Sequence, residues 1–145
     1  MKIICHRANL FGPSEYENSI KQAHKCIEYG FDVELDLRFI GNKLFLGHDS
    51  PESEIDLNNI LEMKSNLWIH CKDVQSLEYF SNTDFNYFWH DTDKYTLTSK
   101  NIGWVFPNCA PYKKSVVVLP EICDYRIDEH EVYGLCTDYP FRYKK

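Results

Sequence analysis

The stretch DVELDLRFIGNKLFLGHD, residues 32–49, decides the fold prediction because it contains a strand, a tight turn and a returning strand. Apolar and charged residues alternate at its start, which is typical of a β-strand with two different faces. Gly41-Asn42 is a hairpin turn signal, and the residues after it have the composition of the returning strand. Two carboxylates, those of Glu34 and Asp36, therefore lie on one face of the same strand.

Strand-like and helix-like segments alternate along the first half of the chain, on both sides of this hairpin. After residue 86 only strand-like segments remain, separated by Asn, Pro, Gly and Asp clusters too short for full helices. The predicted strands cover 2–6, 32–38, 43–48, 67–72, 86–90, 94–99, 103–107, 115–120 and 132–138, and the predicted helices cover 19–30, 56–64 and 73–81.

This pattern predicts an α/β fold, a reduced TIM (β/α)8-type barrel in which several outer helices are missing from the second half. A barrel with all its helices takes about 250 residues, whereas this chain has 145. An open α/β sheet is the alternative that the same pattern allows. The length predicts a single domain, residues 1–145.

The composition limits the class of protein. A formal net charge of −6 argues against a broad basic surface for nucleic acid. No segment has the ~18 consecutive apolar residues of a membrane span, and the N-terminal apolar run is too short for a signal peptide. Six widely spaced cysteines favour reduced thiols over disulfides or a zinc knuckle. We therefore expect a cytoplasmic protein that does not bind nucleic acid and has no membrane span.

Two histidines and two carboxylates are the first candidate functional residues. His6 and His48 each end a strand-like segment and begin a polar loop, where barrel enzymes place catalytic groups, although each alone is also typical of an ordinary strand end. Glu34 and Asp36, two positions apart on a strand, can converge on one cation, unless their face is exposed to solvent as on a one-sided sheet. Together the four favour a metal-dependent acid–base site.

A series of short polar motifs runs through nearly the whole chain. They are His6-Arg7, Glu17-Asn18-Ser19, Glu34-x-Asp36, His48-Asp49, Lys72 and Thr137-Asp138-Tyr139-Pro140. Their order and spacing resemble those of the glycerophosphodiester phosphodiesterase family, whose signature is H-R-G, E-N-T, E-x-D, H-D, I-E-x-K and T-D-x-P. The resemblance implies a TIM barrel of the phospholipase C-like superfamily and hydrolysis or cyclisation of phosphodiesters.

The resemblance also implies a role for most of these residues. One histidine removes a proton from the nucleophile while the other protonates the leaving group. A divalent cation and two fixed cations neutralise the phosphate as charge develops. The roles are general acid and base for His6 and His48, metal ligands for Glu34 and Asp36, phosphate contacts for Arg7 and Lys72, and support of the site for Glu17 and Asn18. From its position beside His48, Asp49 also supports the site, and it either orients the imidazole ring or caps the turn.

The chain departs from the family pattern at three points. Ala8 stands where the family has glycine, and the long substrate-binding insertion has no room here. His70 occupies the position of the third acidic ligand, two residues before Lys72 on the same strand face. We expect a divalent cation as the cofactor, namely Mg²⁺, Mn²⁺ or Ca²⁺. If the imidazole of His70 is a metal ligand, Zn²⁺ is a further candidate. The alternative is that His70 is purely structural. A shallow pocket, or one completed by another subunit in a homo-oligomer, follows from the missing insertion.

The second half is rich in aromatic residues. They either fill the barrel and cover its exposed side or form a wall for a sugar or lipid head group. His90-Asp91, at the end of its strand, is placed to border the pocket. The aromatic residues are Tyr87, Phe88, Trp89, Trp104, Phe106, Tyr112, Tyr139 and Phe141.

These features lead to a functional hypothesis of a small metal-dependent phosphodiesterase that hydrolyses a glycerophosphodiester-like or sugar phosphodiester by two-histidine acid–base catalysis. One alternative is a lyase that forms a cyclic phosphate. Another is a non-catalytic protein that binds a phosphate or metabolite, which Ala8, His70 and the missing insertion favour. A regulatory or assembly subunit, with the aromatic half as its interface, is the third alternative.

Overall fold

The computed structural model, which describes residues 1–128 and 131–144, contains every strand and helix predicted from the sequence, together with the additional strand β4. The prediction of a helix over 56–64 is only partly confirmed, since a single α-helical turn forms there. The strands are β1 (Lys2–Cys5), β2 (Asp32–Ile40), β3 (Lys43–Leu46), β4 (Ser53–Ile55), β5 (Leu67–Cys71), β6 (Tyr87–Trp89), β7 (Tyr95–Leu97), β8 (Gly103–Val105), β9 (Ser115–Val118) and β10 (Gly134–Thr137), and the helices are α1 (Ile20–Glu28), α2 (Asn58–Leu61) and α3 (Val74–Ser81).

The hairpin of β2 and β3 forms at the predicted turn. Gly41 and Asn42 both have positive φ, at 56° and 65°. These are the two residue types that adopt this conformation at least cost, and the resulting turn matches the twist of the flanking strands. The antiparallel register runs from Ile40 opposite Lys43 to Leu37 opposite Leu46. The turn thereby carries the chain back towards the carboxylates of β2.

Side-chain caps fix where the two longer helices begin. The hydroxyl of Ser19 accepts a hydrogen bond from the backbone N–H of Gln22 at the start of α1. Asp73 and Ser76 form a capping box at the start of α3, which satisfies backbone donors that have no partner within the helix. The cap of α3 also ties it to β2, because the carboxylate of Asp73 accepts from the backbone N–H of Phe39.

The ten strands form one curled, mixed sheet. Its main path follows the order β4-β3-β2-β1-β10-β9-β8-β7, and β5 joins β2 while β6 joins β5. The pairs β6-β5, β5-β2, β2-β1, β1-β10, β10-β9 and β9-β8 are parallel, whereas β2-β3, β3-β4 and β7-β8 are antiparallel. Seven strands therefore end at the same edge of the sheet.

The predicted reduced TIM barrel is wrong. The described residues form a strand-rich half-barrel with only three helices, all before residue 82, rather than a barrel of alternating strands and helices. Two physical reasons explain the difference. The connections between β6, β7, β8 and β9 are too short for crossover helices, and the antiparallel arms make the sheet mixed. The fold accordingly conflicts with assignment to the phospholipase C-like TIM barrels.

The two faces of the curled sheet pack differently. On one face, Val33, Leu35 and Leu37 of β2 belong to a large apolar core that includes buried residues of the three helices. On the other face, aromatic rings meet across the sheet, with the ring centroids of Phe88 and Trp104 4.4 Å apart. Both faces of β2 are buried, so any charged group on this strand must be compensated inside the protein.

All six cysteines are free thiols in the structure, in agreement with the sequence prediction. Within residues 1–128 and 131–144, no helix is long and apolar enough to cross a membrane.

Candidate active site

The functional residues predicted from the sequence meet at the edge where the parallel strands end. Strand pairing decides this, because β2 and β5 align Asp36 directly with His70. In the same way, β1 and β10 align Cys5 with Thr137. His6 follows Cys5 and Asp138 follows Thr137, so these two residues lie beside each other.

The carboxylates of Glu34 and Asp36 are buried inside the curled sheet, with exposures of 2% and 0%. The alternative of a solvent-exposed strand face is therefore excluded. Two carboxylates at this depth are poorly solvated and repel each other unless cations compensate them.

Glu34, Asp36 and His70 each offer one ligand atom, and these atoms lie within 4.8 Å of one another. Nδ1 of His70 lies 3.0 Å from Oδ1 of Asp36 and 3.6 Å from Oε1 of Glu34. Two carboxylate oxygens and one imidazole nitrogen, all buried, form a donor set that suits a divalent transition metal.

The orientation of the His70 ring is set by its other nitrogen. Nε2 donates to the backbone carbonyl of His90 at 2.7 Å, and the ring stacks on Phe88. In the neutral ring this leaves the lone pair on Nδ1, facing the two carboxylates. A hydrogen bond from the second ring nitrogen to a carbonyl is the usual support for a metal-ligating histidine.

Without a cation between them, His70 itself must compensate the carboxylates. Burial lowers the pKa of His70, but its contacts with Asp36 and Glu34 outweigh burial and raise the pKa to about 9. Burial also raises the pKa of Asp36, yet contacts with His48 and His70 hold it well below its usual range. The cluster therefore needs positive charge at its centre, supplied either by a proton or by a metal ion.

The two oxygens of Asp36 have different surroundings. Oδ2 accepts hydrogen bonds from Nδ2 of Asn18 at 2.9 Å and from Nδ1 of His48 at 3.0 Å. Oδ1 is buried and accepts no hydrogen bond from any residue within 1–128 and 131–144, although Nδ1 of His70 is close to it. A buried oxygen without a hydrogen bond beside two further donor atoms fits a divalent cation.

Each candidate catalytic histidine is held by a carboxylate through Nδ1. His6 donates to Asp138 at 2.9 Å, and His48 donates to Asp36. This arrangement fixes the tautomer and leaves Nε2 of each ring for a ligand. Burial lowers the pKa of His6, but the hydrogen bond to Asp138 and the charge of Glu34 outweigh it, so that the pKa lies above 6.5.

Arg7 and Lys72, the predicted phosphate contacts, are both incompletely paired. Nε of Arg7 is buried and makes no hydrogen bond to the described part of the chain; it lies 3.6 Å from Oδ2 of Asp36. Nζ of Lys72 lies 3.9 Å from Oδ1 of the same carboxylate. An anion in the cleft would supply the hydrogen bonds that these two cations lack.

The predicted supporting residues Glu17 and Asp49 differ in their contacts with the site. Oε2 of Glu17 is 3.4 Å from Nη1 of Arg7, and Oε1 accepts from Nδ2 of Asn9. Asp49 does not orient His48, since its side chain is 95% exposed and its Oδ1 is 3.8 Å from Nε2 of that ring. The orienting carboxylate is Asp36.

A cleft of about 480 Å³ joins these groups. It brings together six residues that the sequence predicts for the site, together with His90 and Asp91. The six are His6, Arg7, Glu34, His48, His70 and Lys72. The predicted supporting residues Glu17, Asn18 and Asp49 do not line it.

Sequence reasoning did not assign a role to three groups that shape the site. Asp138 holds His6, Asn9 bridges Asp138 and Glu17, and the carbonyl of His90 holds His70. The sequence does mark Asp138 as a polar residue at the end of the predicted strand 132–138, but only strand pairing places it beside His6. The other two depend on loop conformation, which residue patterns do not reveal.

No protein-family model matches the chain, and neither a curated protein nor a solved structure matches it.

Asn18 fastens the loop that carries Arg7 to β2. Besides its bond to Oδ2 of Asp36, its Oδ1 accepts from the backbone N–H of Asp36, and its own N–H donates to the carbonyl of Arg7. We expect Asn18→Ala to lower the free energy of unfolding by about 3 kcal/mol, because it leaves buried groups unpaired and places alanine at positive φ. Urea unfolding measures this change.

Asn42→Ala is the matched control, because Asn42 also has positive φ but is exposed in the hairpin turn. This variant should lose only about 1 kcal/mol, the cost of the backbone conformation alone. Equal losses in the two variants would show that the hydrogen bonds of Asn18 do not stabilise the site.

Proposed function

We propose that the chain is a small metal-dependent phosphodiesterase that hydrolyses a glycerophosphodiester-like or sugar phosphodiester. The observation that carries the proposal is the composition of one cleft. Two histidines held by carboxylates, two incompletely paired cations and a buried three-residue cluster with a donor set for a metal all border it or lie at its base. This combination supports acid–base chemistry on an anion.

Glu34, Asp36 and His70 would hold the metal ion, and two carboxylates with one imidazole favour Mn²⁺ or Zn²⁺ over Ca²⁺. When bound, a divalent cation polarises the phosphoryl oxygens and offsets the negative charge that develops on them. Its charge would also replace the proton that His70 carries in the metal-free site, which explains why the two carboxylates tolerate burial.

The remaining residues act on the substrate directly. Arg7 and Lys72 hold the non-bridging phosphate oxygens by charge-assisted hydrogen bonds. Nε2 of His48 removes a proton from the water that attacks phosphorus. As the bond from phosphorus to the ester oxygen breaks, Nε2 of His6 gives its proton to the leaving alkoxide. The assignment of His6 as the acid rests on its raised pKa, which favours the protonated ring.

Turnover is tested by a screen of Mg²⁺, Mn²⁺, Ca²⁺ and Zn²⁺ against a panel of phosphodiesters, after treatment with a chelator. We expect the chelator to abolish hydrolysis, Mn²⁺ or Zn²⁺ to restore it, and Glu34→Gln to weaken the metal response by at least about tenfold. Glu54→Gln is the control, since Glu54 is exposed and pairs with Lys43 away from the cleft. If no combination of metal ion and phosphodiester is hydrolysed, the proposal is refuted.

The cyclising lyase uses the same residues and differs only in its nucleophile. In that reaction a neighbouring hydroxyl of the substrate, rather than water, loses its proton to His48. Phosphorus NMR of the products separates the two reactions, because only the lyase releases a cyclic diester as its end product. A phosphomonoester as the first product supports the hydrolase.

A further inference from the structure

Apolar side chains line part of the cleft, in addition to its charged groups. They come from β8 and β9 and from the segments that follow these strands, and we call them the apolar wall. Two of its side chains are well exposed despite being apolar, Phe106 at 45% and Ile122 at 57%. The apolar wall consists of Trp104, Phe106, Pro107, Val118, Leu119 and Ile122.

The aromatic residues of the second half therefore divide between two roles. Phe88 and Trp104 are buried and pack together in the core, which agrees with the interpretation that these rings fill the fold. Phe106 instead lines the cleft that also carries Arg7 and Lys72. Exposed apolar side chains that line one side of a concave site are typical of a ligand surface.

The strained backbone of Leu119 supports a ligand-binding role for the apolar wall. Leu119 has φ of 48°, in the left-handed region that leucine adopts only at a cost. It directly follows β9, at the same strand edge as the catalytic groups. Strained residues of this kind cluster at ligand sites, where the surrounding structure maintains them.

The chemistry of the apolar wall limits what it can bind. Apart from Asn108 beside it and the indole of the buried Trp104, its side chains offer no hydrogen-bonding group. A sugar or another polyol would leave most of its hydroxyl groups unpaired against this surface. An alkyl or acyl chain would instead remove Phe106 and Ile122 from water.

We propose that the substrate is an amphipathic phosphodiester, in which one ester group is a polar alcohol and the other is an apolar chain that packs against the apolar wall. The phosphate lies at Arg7 and Lys72, so that one substrate spans both sides of the cleft. This inference rests on the proposed function, and it narrows the substrate from any phosphodiester to one with an apolar ester group.

A series of glycerophosphate esters tests the inference, with methyl, butyl and octyl groups as the second ester and concentrations kept below micelle formation. Full burial of one methylene changes an equilibrium by about fourfold, and the octyl ester has about seven more methylenes than the methyl ester. Even with partial burial of the chain, kcat/KM should therefore rise by at least about tenfold from methyl to octyl. Hydrolysis at equal rates along the series would overturn the inference and leave the phosphodiesterase proposal standing.

Variants assign the chain-length effect to the apolar wall. Ile122→Ser and Phe106→Ser should each lower the octyl-to-methyl ratio of kcat/KM by about threefold or more. Leu97→Ser is the matched control, because Leu97 is 60% exposed on β7 and does not line the cleft. A ratio that falls equally in all three variants would contradict the placement of the chain on this wall.

Binding measurements separate this inference from catalysis. Calorimetric titration with n-octyl phosphate and methyl phosphate should show tighter binding of the octyl compound, weakened by Ile122→Ser. If no ester is hydrolysed, the proposed function fails, and the octyl preference in binding still tests the apolar wall. Equal affinity for the two phosphates would overturn the inference whether or not the protein is an enzyme.

Discussion

Replacement of Asp36 by asparagine is expected to lower kcat/KM for phosphodiester hydrolysis by about 10³-fold or more, and to abolish metal binding in the micromolar range. The reason is the number of groups that depend on this carboxylate. Oδ2 orients His48, while Oδ1 faces His70 and Lys72 without a hydrogen bond. The amide keeps the size of the side chain and removes its charge, so steady-state kinetics and a metal titration measure the electrostatic contribution.

Asp32→Asn provides the matched control for Asp36→Asn. Asp32 is also buried and lies four residues earlier on the same face of β2, but it contacts Lys2, Asn66 and Trp68 at the other end of the strand. Its loss should change stability and not the dependence of turnover on metal. Circular dichroism spectra of both variants should match that of the unmodified protein, which checks that the variants fold. Equal turnover in Asp36→Asn and Asp32→Asn would refute a specific role of the Asp36 carboxylate in metal binding and catalysis.

Replacement of either catalytic histidine is expected to lower kcat by about 10² to 10⁴-fold without unfolding the protein. The variants His6→Gln and His48→Gln keep hydrogen-bonding capacity and remove the proton-transfer group. His24→Gln is the control, because His24 is exposed on α1. Full activity in both catalytic variants would exclude the two-histidine mechanism.

The leaving group distinguishes the two histidines from each other. A p-nitrophenolate leaving group needs no proton, so His6→Gln should lose much less activity on a p-nitrophenyl ester than on an alkyl ester. His48→Gln should lose activity on both substrates. An equal loss on the two esters in His6→Gln would contradict its role as the acid.

The pH profile tests the pair of His6 and Asp138. As the acid, His6 must be protonated, so activity falls as pH rises through its pKa, which the structure places above 6.5. Asp138→Asn removes a charge that raises this pKa, and the alkaline limb of the profile should therefore move to lower pH. A limb that does not move would show that Asp138 has no influence on the titration of the acid.

Local patterns predicted the secondary structure well and the architecture poorly. The turn at Gly41-Asn42 and the helix predicted over 19–30 depend on local residue patterns, and both formed as expected. The TIM barrel prediction failed because a strand pattern does not reveal whether neighbouring strands run parallel or antiparallel. Strands β7 and β8 illustrate this, since β8 returns antiparallel to β7 after a connection of only five residues.

The candidate site shows the same division. Alternation along β2 placed Glu34 and Asp36 on one face, and the spacing of two residues placed His70 with Lys72. The burial of that face could not be predicted, because it depends on the curl of the whole sheet around it. The role of Asp138 likewise required the pairing of β1 with β10, two strands at opposite ends of the chain.

The sequence by itself determined the positions of the strands and the caps of the helices, and it identified the polar residues that follow the strands, because each depends on neighbours within a few positions. Tertiary structure alone decided which of those residues share a cleft, how deeply the acids of DVELDLRFIGNKLFLGHD are buried, and that Asp36 rather than Asp49 holds His48. Hydrogen bonding between distant strands sets these distances, and strand pairing is a property of the folded chain as a whole.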